Sequence, residues 1–409
     1  MYGYKNFAKE HFEEYQALIC KLTSIPAPSH HEERRAAFIC EYLHQLGYDQ
    51  AFIDDAKNVI CEVKGSDLEA PVHIFMAHTD TVFPDETEIP VVVEDGCIKA
   101  PGVGDDTTNV CAILMTLKYL SEKKIVPKQT MVFALNSCEE GLGNLKGCRA
   151  LVKQYTGRIG QLVSYDCGYN AGTVWAVGSR RYEIRIRTTG GHSYADFGAT
   201  NAIAVAADMI HDFYEIDTNT MPGKTTYNVG LIEGGTSVNT IAQDVKILYE
   251  YRSDRMMGLE LMEREMSAII DKYTDREDAR VDIEMIGDRP SMGQVDKKKM
   301  TELQKRAEGI IFRNTGVMPM FGSGSTDCNI PLSMGIPAIC FGVYLGGGQH
   351  TREEYVRIDS LETGLCAAME MICEDMTNPL SSKRWFPSIH RLKYIVFFYE
   401  TFRTGVRRF

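Results

Sequence analysis

Residues 72–80 read VHIFMAHTD, an apolar run that ends in a histidine and an aspartate. Short apolar runs recur as VICEV at 59–63, TMVFALNS at 130–137 and QLVSYD at 161–166, and a helical pattern covers about 109–122. Strands that alternate with helices are typical of a largely parallel sheet covered on both faces. The sequence therefore predicts an α/β fold with a mixed, mostly parallel sheet flanked by helices.

The composition excludes several classes of partner. The chain has 409 residues and a formal net charge of −12, which argues against nucleic acid as the main partner, since phosphate binding needs a basic face. No apolar run approaches the length of a bilayer span, and the first residues do not have the pattern of a signal peptide. The 12 cysteines occur singly, as is typical of reduced, buried thiols. We therefore expect a cytoplasmic protein that binds neither nucleic acid nor membrane.

Acidic and imidazole side chains follow the apolar runs. They are His78 and Asp80 in HTDTV, Asp105 in GDDTTN, Glu139 and Glu140 in SCEEG, Asp166 in SYDCG, and His350 in GGGQHT. All but the last cluster lie at the carboxyl end of a predicted strand or in the loop after it. Open α/β sheets place their ligand sites along that edge. We therefore expect these side chains to converge in one crevice.

This set of side chains suits a pair of metal ions. Imidazole and carboxylate are good ligands for zinc, and two ions require about six protein donors if one is shared. Two ions about 3.5–4 Å apart hold a bridging water and lower its pKa toward about 7, which provides a metal-bridged hydroxide. One carboxylate must stay uncoordinated to take the proton from this water and pass it to the leaving amine. Cobalt or manganese would suit the same ligands.

The motifs HTDTV, GDD, SCEEG, GGHS, GGTSVN and GGGQH resemble those of a known family in their order, over roughly residues 10–375. It is the di-zinc metallopeptidase family of peptidase T, glutamate carboxypeptidase, succinyl-diaminopimelate desuccinylase and the aminoacylases, and the chain is most similar to the peptidase T-like members. The resemblance implies two zinc ions per subunit, with His78 and Asp166 on one, Glu140 and His350 on the other, and Asp105 bridging both. It also implies that Asp80 orients His78 and that Glu139 is the general base.

The pattern changes after about Val177. RYEIRIRTTG at 181–190 alternates strictly, which predicts a strand with one solvated face in an antiparallel α+β unit. The resemblance implies that this unit is an inserted lid and dimerisation domain, and that His192 in GGHS reaches the active site of the other subunit. It further implies that Asn239 and Arg252 bind the substrate. Glu250 stands where an aspartate often precedes this arginine.

These patterns predict the domain organisation. The catalytic domain comprises 1–177 and 290–376, the inserted α+β sandwich comprises 178–289, and 377–409 form an atypical basic and aromatic tail. For the tail, the two alternatives are an arm for a partner or a membrane surface and a terminal extension that packs locally or is disordered.

The resemblance implies a zinc-dependent hydrolase that cleaves amide bonds in short peptides, as a dipeptide or tripeptide exopeptidase such as an aminopeptidase or tripeptidase. One alternative is an N-acyl amino acid amidohydrolase that uses the same site. Another is an inactive binding protein that has kept the fold. The expected partners are a small peptide or N-acyl amino acid and a second copy of the chain, as a homodimer through the inserted domain. The sequence leaves the substrate side chains and the native metal open.

Overall fold

The computed structural model describes residues 3–377. Apart from Thr377, which ends the last helix, the predicted tail 377–409 and its two alternatives lie outside the described residues. The described helices are α1 Tyr4–Glu10, α2 Phe12–Thr23, α3 Glu33–Gln45, α4 Asn109–Lys123, α5 Lys146–Gln154, α6 Ala202–Tyr214, α7 Met256–Thr274, α8 Lys297–Thr315, α9 Asn329–Ser333 and α10 Ile358–Thr377.

The strands form four sheets within this part of the chain. They are β1 Phe52–Ile53, β2 Val59–Val63, β3 Val72–His78, β4 Val92–Glu94, β5 Cys97–Lys99, β6 Met131–Asn136, β7 Ile159–Ser164, β8 Ala171–Ala176, β9 Gly178–Arg187, β10 Gly191–His192, β11 Thr225–Gly234, β12 Thr240–Ile241, β13 Asp244–Ser253, β14 Arg280–Arg289, β15 Met320–Gly324, β16 Ala338–Phe341, β17 Gly346–Gly347 and β18 Tyr355–Arg357.

The largest sheet has eight strands in the order β1-β2-β6-β3-β7-β16-β8-β15. Strand β3 pairs in parallel with both β6 and β7, and β7 pairs in parallel with β16, whereas β2 and β8 run antiparallel to their neighbours β6 and β16. Successive side chains of β3 enter different clusters, since Phe75 packs in one and Ile74 and Met76 in the other. The predicted α/β fold, with a mostly parallel sheet covered on both faces, is therefore confirmed.

The segment between β8 and α8 builds a different structure. Its sheet has four antiparallel strands in the order β11-β13-β9-β14, and helices α6 and α7 pack on that sheet through a hydrophobic cluster of their own. The strict alternation of Tyr182, Ile184 and Ile186 on β9 gives this sheet one buried face, as period-two patterning requires. We call residues 178–289 the insert. The domain boundaries given above stay a prediction, as does the cytoplasmic location.

A small four-stranded sheet lies outside both the large sheet and the insert. It joins β17, β18, β5 and β4 in that order, and each of these strands is only two or three residues long. Sequence analysis did not predict it, because such short strands show no measurable period. Among residues 3–377, no helix combines the length and apolar character that crossing a bilayer requires.

Candidate active site

Three neighbouring strands bring the first group of predicted side chains together. His78 is the last residue of β3, Asp166 follows the end of β7 by two residues, and Glu139 and Glu140 follow the end of β6. Because β6, β3 and β7 are adjacent and parallel, their carboxyl ends meet at one edge of the sheet. The strand register pairs His78 with Asn136, the last residue of β6. The loop that follows β6 and carries Glu139 and Glu140, which we call the glutamate-containing loop, therefore lies beside the histidine.

Asp105 reaches this edge by another route. It lies in the helical turn Val103–Thr108 that leads into α4, after a strand of the small sheet instead of a strand of the large one. The buried carboxylate of Glu354 accepts hydrogen bonds from the backbone N–H groups of Gly102, Gly104 and Asp105 at 2.7, 2.9 and 2.8 Å. Glu354 therefore fixes the backbone that presents Asp105.

Asp105 lies between two imidazoles. Its Oδ1 is 3.0 Å from Nε2 of His78, and its Oδ2 is 3.1 Å from Nε2 of His350. The same nitrogen of His350 is 3.1 Å from Oε1 of Glu140. Asp166 offers an oxygen within 4.8 Å of ligand atoms of His78 and Asp105. The five residues predicted as metal ligands therefore converge in the folded chain, around Asp105.

Asp80 makes hydrogen bonds with several parts of the site. Its Oδ1 and Oδ2 accept hydrogen bonds from the backbone N–H groups of Glu139 and Glu140 at 2.9 and 3.0 Å. Nδ1 of His78 lies 3.1 Å from the main-chain oxygen of Asp80 and 3.5 Å from its Oδ1. Asp80 therefore touches the histidine and the loop that carries both glutamates.

The sequence Ser29-His-His-Glu32 has the spacing of a capping box, which predicts that a helix starts there, but this prediction is wrong. Helix α3 begins at Glu33, and Glu32 precedes it without a capping bond from its side chain. The Ser29 hydroxyl instead donates to Oδ2 of Asp80 at 2.6 Å, and Glu32 accepts from the backbone of Cys138. Because the helix starts only at Glu33, the Ser29 oxygen caps no N–H of its first turn, and the hydroxyl donates to the buried carboxylate at the site instead.

Burial and mutual repulsion dominate the electrostatics. Burial, followed by repulsion from Asp105, raises the pKa of Asp166 to about 7. Burial also raises the pKa of Glu140 to about 7, with Asp105 and Glu139 adding to the shift. Hydrogen bonds to Asp105 and Glu140 raise the pKa of His350 to about 11. The protein alone thus gathers more negative charge here than it neutralises.

Two residues of the site, Asp106 and Arg289, are absent from the prediction made from the sequence. Asp106 is fully buried, accepts from the backbone N–H of His78 at 2.9 Å and belongs to one candidate metal group with His78, Asp105 and Asp166. The adjacent pair Asp105-Asp106 was a usable signal. Nη1 of Arg289 lies 3.2 Å from Oε1 of Glu139. No sequence signal marks Arg289, because it reaches Glu139 only through the fold.

The insert residues predicted to touch substrate lie apart from these ligands. His192 is exposed, and its Nδ1 accepts from the backbone of Tyr194. Asn239 lies beside it, since its main-chain oxygen accepts from Ser193 at 3.0 Å. Among the contacts of residues 3–377, none joins His192, Asn239 or Arg252 to the metal ligands.

The guanidinium fork of Arg252 already has a partner. Its Nε and Nη2 lie 3.0 and 3.2 Å from the two carboxylate oxygens of Glu250. Glu250 also accepts from Arg181 at 3.2 Å, and Arg181 donates to the main-chain oxygen of Gly141 in the glutamate-containing loop. The two arginines and Glu250 therefore connect the insert to the edge of the site.

Comparison with known proteins identifies related chains. The chain is 26% identical over 354 residues to the uncharacterized protein YqjE of Bacillus subtilis (strain 168), covering 83% of this chain and 92% of that one. It is 24% identical over 325 residues to the succinyl-diaminopimelate desuccinylase of Methylococcus capsulatus (strain ATCC 33009 / NCIMB 11132 / Bath), covering 74% and 83%. A solved tripeptidase structure from Staphylococcus aureus subsp. aureus Mu50 superposes with a TM-score of 0.71 at 22% identity, covering 90% and 99%.

The structural likeness confirms the predicted type of fold. The model of one protein family, Peptidase family M20/M25/M40, matches residues 74–374. This match includes all five predicted metal ligands and the whole insert, and it covers well over half of the chain. The resemblance inferred from the motifs is thereby confirmed, and the chain belongs to the peptidase family M20/M25/M40.

Proposed function

We propose that this chain is a metal-dependent peptidase that hydrolyses amide bonds in short peptides with two divalent ions at Asp105. The observation that carries the proposal is the position of Asp105, with one carboxylate oxygen 3.0 Å from His78 and the other 3.1 Å from His350. A carboxylate that faces a different imidazole with each oxygen has the arrangement of a bridging ligand.

The residues present fit such a pair of ions. His78, Asp105 and Asp166 belong to one group of converging ligand atoms, and Asp105, Glu140 and His350 form another. Imidazole nitrogen and carboxylate oxygen suit zinc, and also cobalt or manganese. Cations at both groups would neutralise the repulsion that raises the pKa of Asp166 and Glu140. His78 and Asp166 would hold one ion, Glu140 and His350 the other, and Asp105 both.

The bound ions would supply Lewis acidity toward the amide carbonyl and an acidified water. Glu139 then has the task of holding and moving a proton. Its carboxylate is buried beside these ligands, so it would take the proton from the water and deliver it to the leaving amine. Asp80 would hold the backbone of Glu139 and Glu140 in place while this occurs.

The insert would complete the site in a homodimer. His192 and Asn239 lie together on the insert without contact to the metal ligands of their own chain, and both are exposed. We therefore assign them to the active site of the second subunit, where His192 would donate a hydrogen bond to the oxyanion and Asn239 would bind substrate. Arg252 would bind the substrate carboxylate with Glu250 as its resting partner.

Short peptides are the substrate class we favour. The fold similarity to a tripeptidase supports this choice, together with the peptidase T-like motif order. The similarity to a desuccinylase supports the second candidate, an N-acyl amino acid amidohydrolase that uses the same residues. The two candidates differ in the group on the amino side of the cleaved bond.

A hydrolysis panel tests the proposal. Purified protein is incubated with dipeptides, tripeptides, tetrapeptides and N-acyl amino acids, with added zinc or with a chelator. We expect cleavage of short peptides with a free amino terminus, and loss of this activity with the chelator. Activity confined to acylated amino acids would establish the second candidate instead.

The variant Glu139→Gln separates proton transfer from metal binding in the same panel. Because Glu139 is not among the assigned ligands, the variant should keep its metal content and lose about 100- to 10,000-fold in kcat, the usual contribution of a general base. Unchanged turnover of this variant would refute the assignment of Glu139 as the base.

A further inference from the structure

One arginine of the insert lies at the edge of the large sheet where the predicted metal ligands converge. Arg289, the last residue of β14, is 5% exposed. Its Nη1 lies 3.2 Å from Oε1 of Glu139, and its Nη2 donates to the main-chain oxygen of the same glutamate. One planar guanidinium therefore holds both the side chain and the backbone of Glu139.

This contact matters because of where Glu139 lies. An oxygen of Glu139 lies within 4.8 Å of ligand atoms of His78 and Glu140, so its carboxylate is close enough to compete for a metal ion. A general base has to remain uncoordinated and aimed at the reacting water. The planar guanidinium of Arg289 restrains this carboxylate better than the flexible ammonium group of a lysine would.

Arg289 does not use all of its hydrogen-bond donors, as an arginine in a purely structural ion pair usually does. Nη1 also contacts Oγ of Ser325 at 3.3 Å, but Nε has no hydrogen-bond partner among the described residues. A buried guanidinium with an unpaired donor lowers the stability of the fold, and a role in catalysis would explain why it is kept. Its remaining strong contacts are with Glu139.

The backbone around Arg289 is fixed to the catalytic part of the chain. Nδ2 of Asn329 donates to the main-chain oxygens of Val177 and Pro290, at 2.8 and 2.9 Å. These residues lie on the two chain segments that enter and leave the insert. A single buried amide therefore joins the two chain segments that enter and leave the insert, next to Arg289.

We propose that Arg289 is a positioning residue for the general base, supplied by the insert of the same subunit. It keeps the Glu139 carboxylate off the metal ions and pointed at the water. This inference rests on the proposed function of Glu139. It predicts an effect on the catalytic step, with substrate affinity and metal content unaffected.

The test compares Arg289→Met and Arg289→Lys with a matched control. Removing the fork should lower kcat on the order of 10- to 100-fold, as loss of a supporting contact does, with KM and metal content within about twofold. Arg289→Lys keeps the charge without the fork and should also lose kcat. In the control Arg180→Met on β9, which breaks partly buried ion pairs with Glu263 on α7 and Asp288 on β14, kcat should stay within about twofold of the wild type.

A double-mutant cycle decides whether the effect passes through Glu139. In the Glu139→Gln background, Arg289→Met should lower the residual kcat by less than about threefold, because residues that act as a unit are not additive. An equal loss in both backgrounds, or a loss carried by KM, would overturn the inference. If Arg289→Met fails to fold, a wild-type kcat in Arg289→Lys would overturn it too.

The same data separate this inference from the proposed function. If the wild-type protein cleaves no substrate of the panel, the proposed function fails. If Glu139→Gln loses activity and both Arg289 variants keep it, only the inference about Arg289 fails.

Discussion

At the scale of single residues, the site depends on how the backbone of Asp105 is held. A ligand that serves two ions has to present both oxygens in fixed directions, and Asp105 lies in a helical turn of irregular geometry. Glu354 supplies the restraint, since it accepts three backbone N–H bonds from this turn and is itself fully buried. Loss of a supporting contact of this kind typically lowers metal affinity by about 10- to 100-fold.

Glu354→Ala tests this restraint. The variant removes the acceptor for the backbone N–H groups of Gly102, Gly104 and Asp105, so we expect metal affinity to fall about 10- to 100-fold. Competition with a chelator of known affinity measures the change. The matched control is Glu353→Ala at the exposed neighbouring position, which should bind metal like the wild type. Equal affinities in both variants would contradict the role given to Glu354.

The metal ligands could be predicted from the sequence better than the residues that hold them in place. His78 ends an apolar strand and Glu140 and Asp166 each follow one, and this local signal placed them at one edge. The contacts of Glu354 with Gly102 and of Arg289 with Glu139 span 252 and 150 residues. Nothing in the local sequence marks such partners, because only the folded chain brings them together.

At the scale of secondary-structure elements, helix α10 fixes the strand and loop that lead toward His350. A Cβ atom at Gly364 would lie 1.5 Å from the main-chain oxygen of Val343, just after β16. The helix therefore approaches this segment as closely as a residue without a side chain allows. Such a contact is invisible in the sequence, where a glycine inside a helix only weakens the prediction.

Gly364→Ala separates packing from helix propensity by the sign of its effect. Propensity alone predicts a gain of about 1 kcal/mol in the free energy of unfolding, whereas the overlap with Val343 predicts a loss of about 1–3 kcal/mol. We expect the loss, measured by urea unfolding. In the control Gly309→Ala on α8, the new Cβ meets only the tip of Arg313 at 3.2 Å. This control should gain about 0.5–1 kcal/mol, and a gain in both variants would refute the close packing of α10.

The contact of α10 with α1 and α8 should make stability depend on pH. Burial alone would raise the pKa of Glu370, but hydrogen bonds from Asn314, Arg313 and Tyr4 outweigh burial and lower it. A lowered pKa contributes stability above the unfolded value of about 4.3, and this contribution is lost as the pH falls through the folded pKa.

We therefore expect Glu370→Gln to lower the free energy of unfolding by about 1–3 kcal/mol at pH 7. The difference from the wild type should shrink as the pH falls below the unfolded value of about 4.3 and through the lowered pKa of the folded carboxylate. Unfolding midpoints of both proteins across this range measure it. Glu374→Gln, at a half-exposed partner of the same Arg313, should change stability by less than about 1 kcal/mol. A difference for Glu370→Gln that stays constant with pH would contradict this account.

At the scale of the whole molecule, the question is how the insert meets an active site. Tyr194 and Phe197 follow His192 directly and are 88% and 89% exposed, and Val238 beside Asn239 is fully exposed. A group of apolar side chains that is this exposed to solvent is typical of a surface that another protein covers. This exposure supports the proposal that a second subunit brings its own catalytic edge to the insert.

Mixing two inactive variants tests that arrangement. In a dimer that shares residues, a His192→Ala subunit retains Glu139 and borrows His192 from a Glu139→Gln subunit, so one site of each mixed dimer is complete. After subunit exchange at equal amounts, half of the dimers are mixed, and about a quarter of wild-type activity should return. The assay compares the mixture with each variant alone. No recovery, with exchange verified by differently tagged subunits, would place His192 in its own subunit's site or outside catalysis.

The central claim is that Asp105 joins two metal ions held by residues from distant parts of the chain. Anomalous diffraction from crystals grown with zinc, collected at the zinc absorption edge, tests it most directly. We predict two peaks about 3.5–4 Å apart on either side of the Asp105 carboxylate, one against His78 and Asp166 and the other against Glu140 and His350. A single peak, or peaks away from Asp105, would contradict the account.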